Sequence, residues 1–405
     1  MPRLLLLTYF FPPQPNAGAQ RPGLIARQLP HEGWQVDVLT RGPVDGVVTN
    51  SLSAATGSKP AVKGFNSYVK RIRPPRVLSE VFKSIIFFPD RSIWWLPELL
   101  IRAFRAVCTG GYDAVLSTYS PVAVHMAGSV VAAKFGLPWL ADYRDPWSDN
   151  DYVKSNWTRQ RLERALERKL LRNAAAISCV SEGVAKKLRV LHQRTDVDII
   201  PNALDFSDWR GIPEALPPAF TFCYAGLLYG GQRNPSPLFE AVSHLRRGNE
   251  PAGQCSHFEF YGPEADVVLA SALKYGLEHD VICTGVVPRR AALEAARKAA
   301  VNLVLLNMDP STASEAGSKF LDLVGARRPI LAIGPQSSVL RSIITENGLG
   351  YYASTVNECA DAVRKIYERF SSGQFEPETN PNWKPFTGSD LALRFASVLN
   401  RISKC

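Results

Sequence analysis

Four stretches of this 405-residue chain put glycine, charge and helix-starting residues just where a short apolar run ends. In Pro12-Pro13-Gln14-Pro15-Asn16-Ala17-Gly18-Ala19-Gln20-Arg21, Gly18 permits close backbone approach at a helix N-terminus, where amide hydrogens and the dipole favour an anion. Arg21 can add a charge-assisted contact. The run Ala141-Asp142-Tyr143-Arg144-Asp145-Pro146-Trp147 gathers three charges at the end of a strand, a costly density unless the charges are paired or used. An internal Asp–Arg pair and an acceptor-binding role for Arg144 and Asp145 both fit it. Tyr224 to Pro235 joins strand to helix through Gly226, Gly230 and Gly231, whose exposed amides, with the fork of Arg233, suit a diphosphate. In Ser314 to Ile330, Gly317 and Ser318 open a helix that can receive phosphate, with Lys319 in reach. Asp322 lies a turn later, where an acid can accept both hydroxyls of a ribose. His125 starts a helix after another strand, a place for either a core histidine or a ligand contact.

These positions need a frame that brings strand ends together. Short apolar strands are predicted at 3–9, 35–40, 113–118, 138–142, 176–180 and 197–200, with helices between them such as 19–32 and 157–173. The rhythm resumes after Pro201-Asn202 with strands near 220–225, 257–261, 281–284, 301–306 and 329–333. Helices follow at 235–246, 289–299, 318–326 and 336–346, and a last amphipathic helix at 386–404. Alternating βα units with nearly all-apolar strands predict parallel sheets covered on both faces. Two such series predict an α/β chain of two Rossmann-like domains, with periodicity broken near 203–218 by Gly211, Pro213 and Pro217-Pro218. Ligands of such sheets bind beyond the carboxyl ends of the strands, where the four stretches fall.

The formal charge of +10 sits on one side: residues 1–205 hold 27 Lys/Arg against 17 Asp/Glu, and the rest are balanced. Such a field suits an anionic surface. A Gly/Ser/Thr-rich segment, 42–76, gathers Lys59, Lys63, Lys70, Arg71, Arg73 and Arg76 and is followed by Phe82, Phe87, Phe88, Trp94 and Trp95. That is the composition of an interfacial patch, or of a loop whose aromatics return to the core. The apolar run at residues 4–11 imitates a leader but ends at Pro12-Pro13, which favours a buried first strand, and no transmembrane helix is expected. Seven cysteines without close pairing read as buried free thiols of a reducing compartment, and neither they nor the six histidines show metal-ligand spacing. The absence of G-x-G-x-x-G argues against a dinucleotide cofactor.

Several motifs stand in one order. The start, "YFFPPQPNAGAQRPGLIARQLPHEGWQVDVLT", resembles the glycine loop, first helix and second strand of the GT-B-fold glycosyltransferases of family 4. "PWLADYRDPW" resembles a motif of a branch met in bacterial polysaccharide clusters, "CVSEGVAKKL…IIPNALD" the end of the first domain, and "GSKFLDLVGARRPILA" the family segment "GKLFEYLAAGRPILA". The resemblance spans nearly the whole chain. It implies two Rossmann-like domains facing across a cleft: 1–205 for the acceptor, 206–385 for the nucleotide sugar, and 386–405 as a C-terminal helix crossing back to the first. It implies a retaining transferase without metal or cofactor, taking a UDP- or GDP-sugar to a polysaccharide or lipid-linked glycan acceptor. The unpaired cysteines and the basic first half with its 59–76 loop add the expectation of a cytoplasmic protein, peripheral on an anionic membrane, with no nucleic-acid partner.

Carried over by position, the resemblance implies that Gly18 approaches the donor diphosphate and Arg233 neutralises it, with Gly226, Gly317 and Ser318 in the donor site. Lys319 assists at the phosphate, Asp322 holds the ribose, and Glu315 is oriented toward the donor sugar. The residues themselves, apart from the resemblance, add Arg21, His125, Arg144 and Asp145 as candidate acceptor contacts. Three features depart from the pattern. Six residues rather than seven separate the acids Glu315 and Asp322, the second shortened to Asp. Leu227 or Leu228 replaces an arginine, leaving Arg233 to work with Lys319, and His125 comes several residues later than the family's histidine. These departures admit an alternative, a catalytically silent glycosyltransferase-like subunit that binds nucleotide or glycan.

Overall fold

Strand after strand in this chain is aliphatic on both faces, and such strands are stable only when helices cover both sides of a parallel sheet. The computed structural model describes residues 1–14, 17–41, 88–150, 156–204, 206–215, 217–309, 319–373 and 386–403. The basic run 59–76, the aromatics up to Phe87, and Glu315, Gly317 and Ser318 lie outside the described residues. The chain divides into two units, Met1–Ala203 with Gly388–Cys405, and Leu204–Thr387.

In the first unit the order is β1 (Arg3–Leu7), α1 (Ala17–Gln28), β2 (Gln35–Leu39), α2 (Leu96–Gly110), β3 (Ala114–Tyr119), α3 (Val122–Phe135), β4 (Trp139–Tyr143), α4 (Trp157–Leu171), β5 (Ala176–Cys179), α5 (Glu182–His192) and β6 (Val197–Ile199). The strands form one parallel sheet ordered β2-β1-β3-β4-β5-β6. Leu4, Leu5, Leu6 and Leu7 are all fully buried because alternate side chains enter the cores on opposite faces. One of these cores takes in Leu391, Phe395 and Leu399 of the final helix, whose chain has returned from the second unit.

The second unit runs β7 (Thr221–Ala225), α6 (Ser236–Arg247), α7 (Pro251–Gln254), β8 (His257–Tyr261), α8 (Ala265–Lys274), β9 (Val281–Cys283), α9 (Arg289–Lys298), β10 (Val301–Leu305), α10 (Lys319–Ala326), β11 (Ile330–Ile333), α11 (Val339–Glu346), β12 (Gly350–Ala353) and α12 (Val356–Ser371). The final helix, α13 (Gly388–Ser403), belongs to the first unit. The second sheet is also parallel, ordered β12-β11-β10-β7-β8-β9. Its edge strand β12 escapes the pattern reading because it opens on glycine and carries two tyrosines instead of aliphatic residues. Gly350 has φ of 143°, and a Cβ there would stand 2.1 Å from the Ile330 carbonyl oxygen, so only glycine lets this edge pair with β11.

The expectation of buried thiols is corrected in part: Cys179, Cys223 and Cys359 are buried and free, but Cys108 and Cys255 are exposed. The two adjacent tryptophans part company, Trp95 packing into a core and Trp94 standing in solvent. Among the described residues no helix is long and apolar enough to cross a membrane.

Candidate functional site

The carboxyl end of the first sheet is built on a buried ion pair. Arg21, on α1, donates from Nε and one terminal nitrogen to the two carboxylate oxygens of Asp142, both at 2.8 Å. Its other terminal nitrogen reaches the Pro201 carbonyl at 3.0 Å and Asn202 Oδ1 at 3.3 Å. Its guanidinium also lies 5.0 Å from the Phe395 ring centre. Ser178 donates to the same carboxylate at 2.8 Å. Arg21 is 3% exposed and Asp142 fully buried, and five segments distant in sequence meet at this point. Arg21, expected at the acceptor, therefore stands within the wall beneath the sheet edge.

His125 is placed likewise. It is fully buried, with Nδ1 2.8 Å from Ser117 Oγ. Trp139 Nε1, which can only donate, gives its proton to that same oxygen at 2.7 Å. The serine proton is left for Nδ1, and the ring proton belongs on Nε2, which has no hydrogen-bond partner among the described residues. Burial pushes the imidazole pKa down to about 3, the charge of Asp142 opposing this only partly. A neutral, enclosed ring of this kind packs against Tyr143, 4.7 Å away between centroids.

Arg144 and Asp145 do reach the rim. Arg144 donates to the Tyr119 carbonyl at 2.9 Å and the Ser120 carbonyl at 3.4 Å, tying the end of β4 to the end of β3. Burial lowers its pKa, and Asp142 and Asp145 raise it. Asp145 is exposed. The Asp–Arg pair of this motif is thus made by Asp142 with Arg21, and Arg144 serves the neighbouring loop. Gly18 is buried in the first turn of α1.

In the second unit the loop from Gly226 to Asn234 crosses the turn after β8 at very short range. A Cβ at Gly262 would lie 2.2 Å from the Gly226 carbonyl oxygen, so two backbones meet here with no room for a side chain. The loop's amides are engaged from within: Glu264 accepts from the N–H of Leu228 at 2.5 Å and of Gly230 at 2.6 Å. Those hydrogen bonds lower the Glu264 pKa. Sequence reasoning missed this carboxylate, whose only local mark is an acid beginning a helix after Gly262-Pro263. Arg233 closes the loop, its N–H bonded to the Leu228 carbonyl at 3.0 Å and its guanidinium 4.7 Å from the Tyr229 ring centre. Its backbone also bridges to Asn307, just past β10. Arg233 opposes the burial that raises the neighbouring Tyr224 hydroxyl to about 12.

Asp322, in the first turn of α10, is held by Arg289 at the start of α9, at 2.7 and 2.8 Å. Arg289 also reaches Asp208 at 2.9 Å. Burial lowers the Arg289 pKa, but hydrogen bonding to Asp322 and Asp208 and their charges raise it further. Each Asp322 oxygen keeps a second lone pair, so the pair can still accept from a diol. The backbone of Lys319 starts α10. Among the described residues no three His, Cys, Asp or Glu side chains gather as a metal set.

The comparisons with known proteins agree with this frame. Residues 17–203 match the model of the glycosyl transferase 4-like domain. No curated protein matches the chain. Among solved structures, sucrose-phosphate synthase from Thermosynechococcus elongatus is similar at 15% identity over 99% of both chains, with a TM-score of 0.60. HepE of Anabaena, solved in complex with UDP, is 14% identical over 99% of this chain and 100% of its own, with a TM-score of 0.56. The lipopolysaccharide outer core galactosyltransferase WaaB is 13% identical over 98% and 99%, with a TM-score of 0.54. At these identities the likeness is one of fold.

Proposed function

We propose that this chain, a GT-B glycosyltransferase of the family 4 type, moves a sugar from a nucleoside diphosphate donor to a polysaccharide or lipid-linked glycan, with retention and without a metal. The observation that carries the reading is the glycosyl transferase 4-like match over residues 17–203, joined to a second six-stranded unit of the same kind.

The donor is assigned to the second unit. A leaving diphosphate gathers negative charge in the transition state, and fixed cations lower that barrier most when they are already in place. Arg233 is held at its loop by its own backbone and by Asn307, and it would meet that charge together with Lys319. Asp322, steadied by Arg289, would take the ribose, and Glu315 would face the sugar. Gly226, Gly317 and Ser318 would line the phosphates. The amides of Leu228 and Gly230 are already bonded to Glu264, so charge neutralisation rests on side chains more than on that loop's backbone. HepE binds UDP, which supports a uridine donor.

The acceptor is assigned to the first unit, with Arg144 and Asp145 at the rim and Arg21 and His125 shaping the wall below. WaaB acts on a lipopolysaccharide core, which supports a glycan acceptor. The protein would work in the cytoplasm, held to the inner membrane face by its basic first half. Thermal shift with UDP-sugars, GDP-sugars, UDP and GDP tests the donor assignment: one nucleotide series stabilises the protein in proportion to ligand concentration over dissociation constant. No shift with any of them at millimolar levels would overturn it.

A further inference from the structure

The outer face of α4 has an unusual composition. Taken at about 100° per residue, Trp157, Arg168, Arg161, Arg172, Ala165, Thr158, Lys169 and Leu162 fall in one arc of about 140°. All eight are exposed, Trp157 at 66% and Leu162 at 60%. The helix's acids, Glu163 and Glu167, are buried on the opposite side, where Arg159 and Tyr143 bond them. An ordinary solvated face mixes both signs, but this one shows four cations and no acid between an exposed tryptophan and an exposed leucine. Arg161 lies 4.6 Å from the Trp157 ring centre, which presents charge and ring together. At the helix start Arg159 reaches the Pro89 carbonyl at 2.7 Å, just ahead of the short turn that carries Trp94, itself 58% exposed.

We propose that this face of α4 docks the first unit on the surface of an anionic phospholipid bilayer, with Arg161, Arg168, Lys169 and Arg172 toward the headgroups and Trp157 and Leu162 in the interface. Cations meet lipid phosphates while the two apolar side chains leave water at the acyl boundary. The exposed leucine favours a bilayer over a soluble polyanion, which offers it nothing apolar. The inference deepens the membrane reading above and is independent of the transfer chemistry.

The test is sedimentation of the full chain with vesicles of phosphatidylcholine alone and of phosphatidylcholine with about one-third phosphatidylglycerol. The wild type should bind the anionic vesicles and hardly the neutral ones. At about fivefold per surface cation, Arg161→Glu with Lys169→Glu should weaken binding by at least about thirtyfold. Trp157→Ala with Leu162→Ala should weaken it several-fold and make the remainder fully salt-sensitive. Should the reversed-charge protein lose its circular dichroism signal, Arg161→Gln with Lys169→Gln replaces it. Unaltered vesicle binding by folded charge variants, equal wild-type binding to both vesicles, or binding to heparin but to neither vesicle would overturn the proposal. Thermal shift with UDP should be unchanged in every variant, which separates a failure here from a failure of the transferase reading.

Discussion

Asp142→Ala should cost the first unit about 3–5 kcal/mol, the cost expected when one partner of a buried ion pair is removed. Three hydrogen bonds end on Asp142: two from Arg21 and one from Ser178, each at 2.8 Å. Without the carboxylate, a guanidinium that is 3% exposed keeps its hydrogen bonds to Pro201 and Asn202 and the Phe395 ring, and holds an unbalanced charge out of water. Arg21→Ala removes the cation instead and strands a fully buried carboxylate, so it should cost as much. Replacing both, Arg21→Met with Asp142→Leu, should recover most of the loss, because an apolar pair of similar size has no charge to desolvate. Urea unfolding followed by circular dichroism, with the transitions of the two units resolved, measures all three. For a unit of this size the single variants should melt roughly 10 °C lower. If Arg21→Ala folds within about 1 kcal/mol of the wild type and instead raises only the acceptor KM, the guanidinium serves the acceptor and the reasoning fails.

Other perturbations follow from the same geometry. His125 has a folded pKa near 3 against an ordinary 6.5, so its neutral form contributes stability that is complete above pH 6.5 and is lost as pH falls toward 3. The loss runs at about 1.4 kcal/mol per pH unit, and His125→Gln should flatten it; urea titrations at pH 7.5 and pH 5 should differ by roughly 2 kcal/mol more in the wild type than in the variant. Arg233→Ala should raise the donor dissociation constant and slow turnover, on the order of tenfold to a hundredfold in kcat/KM; unchanged calorimetric binding of every nucleotide sugar would remove Arg233 from the site. Glu264→Ala should free the N–H groups of Leu228 and Gly230 and weaken donor binding, with Glu264→Gln falling between; equal binding by all three proteins would mean that the clamp does not position the loop.

Much of the frame is legible because apolar strands announce themselves locally. Leu4 to Leu7, Val36 to Leu39 and Ile330 to Ile333 can be read from a few consecutive residues, and their burial follows. Gly350 to Ala353 cannot, since that edge exists through a glycine pressed against the Ile330 backbone, a contact with no local signature. The site divides in the same way. The three charges of the β4 end stand out in sequence, but the partner of Asp142 lies 121 residues earlier on α1. Asp322 finds Arg289 33 residues upstream, and Glu264 finds its amides 34 and 36 residues away. Residue type and strand order thus bring chemistry to the carboxyl ends of the strands, whereas the question of which charges are already satisfied is decided by tertiary neighbours. His125 shows this best: its position at a helix start fits a ligand contact, and the closed pocket of Ser117, Trp139 and Tyr143 makes it part of the core.

Incubation of the purified chain with UDP- and GDP-sugars, with and without lipid-linked or polysaccharide acceptors, shows whether it is a working transferase when glycosylated product and released nucleoside diphosphate are both followed. Acceptor-dependent release from one donor series is expected, with retained anomeric configuration, indifference to EDTA, and a strong loss in Arg233→Ala. Tight nucleotide binding without turnover of any donor would contradict it and leave a silent, glycosyltransferase-like binding subunit.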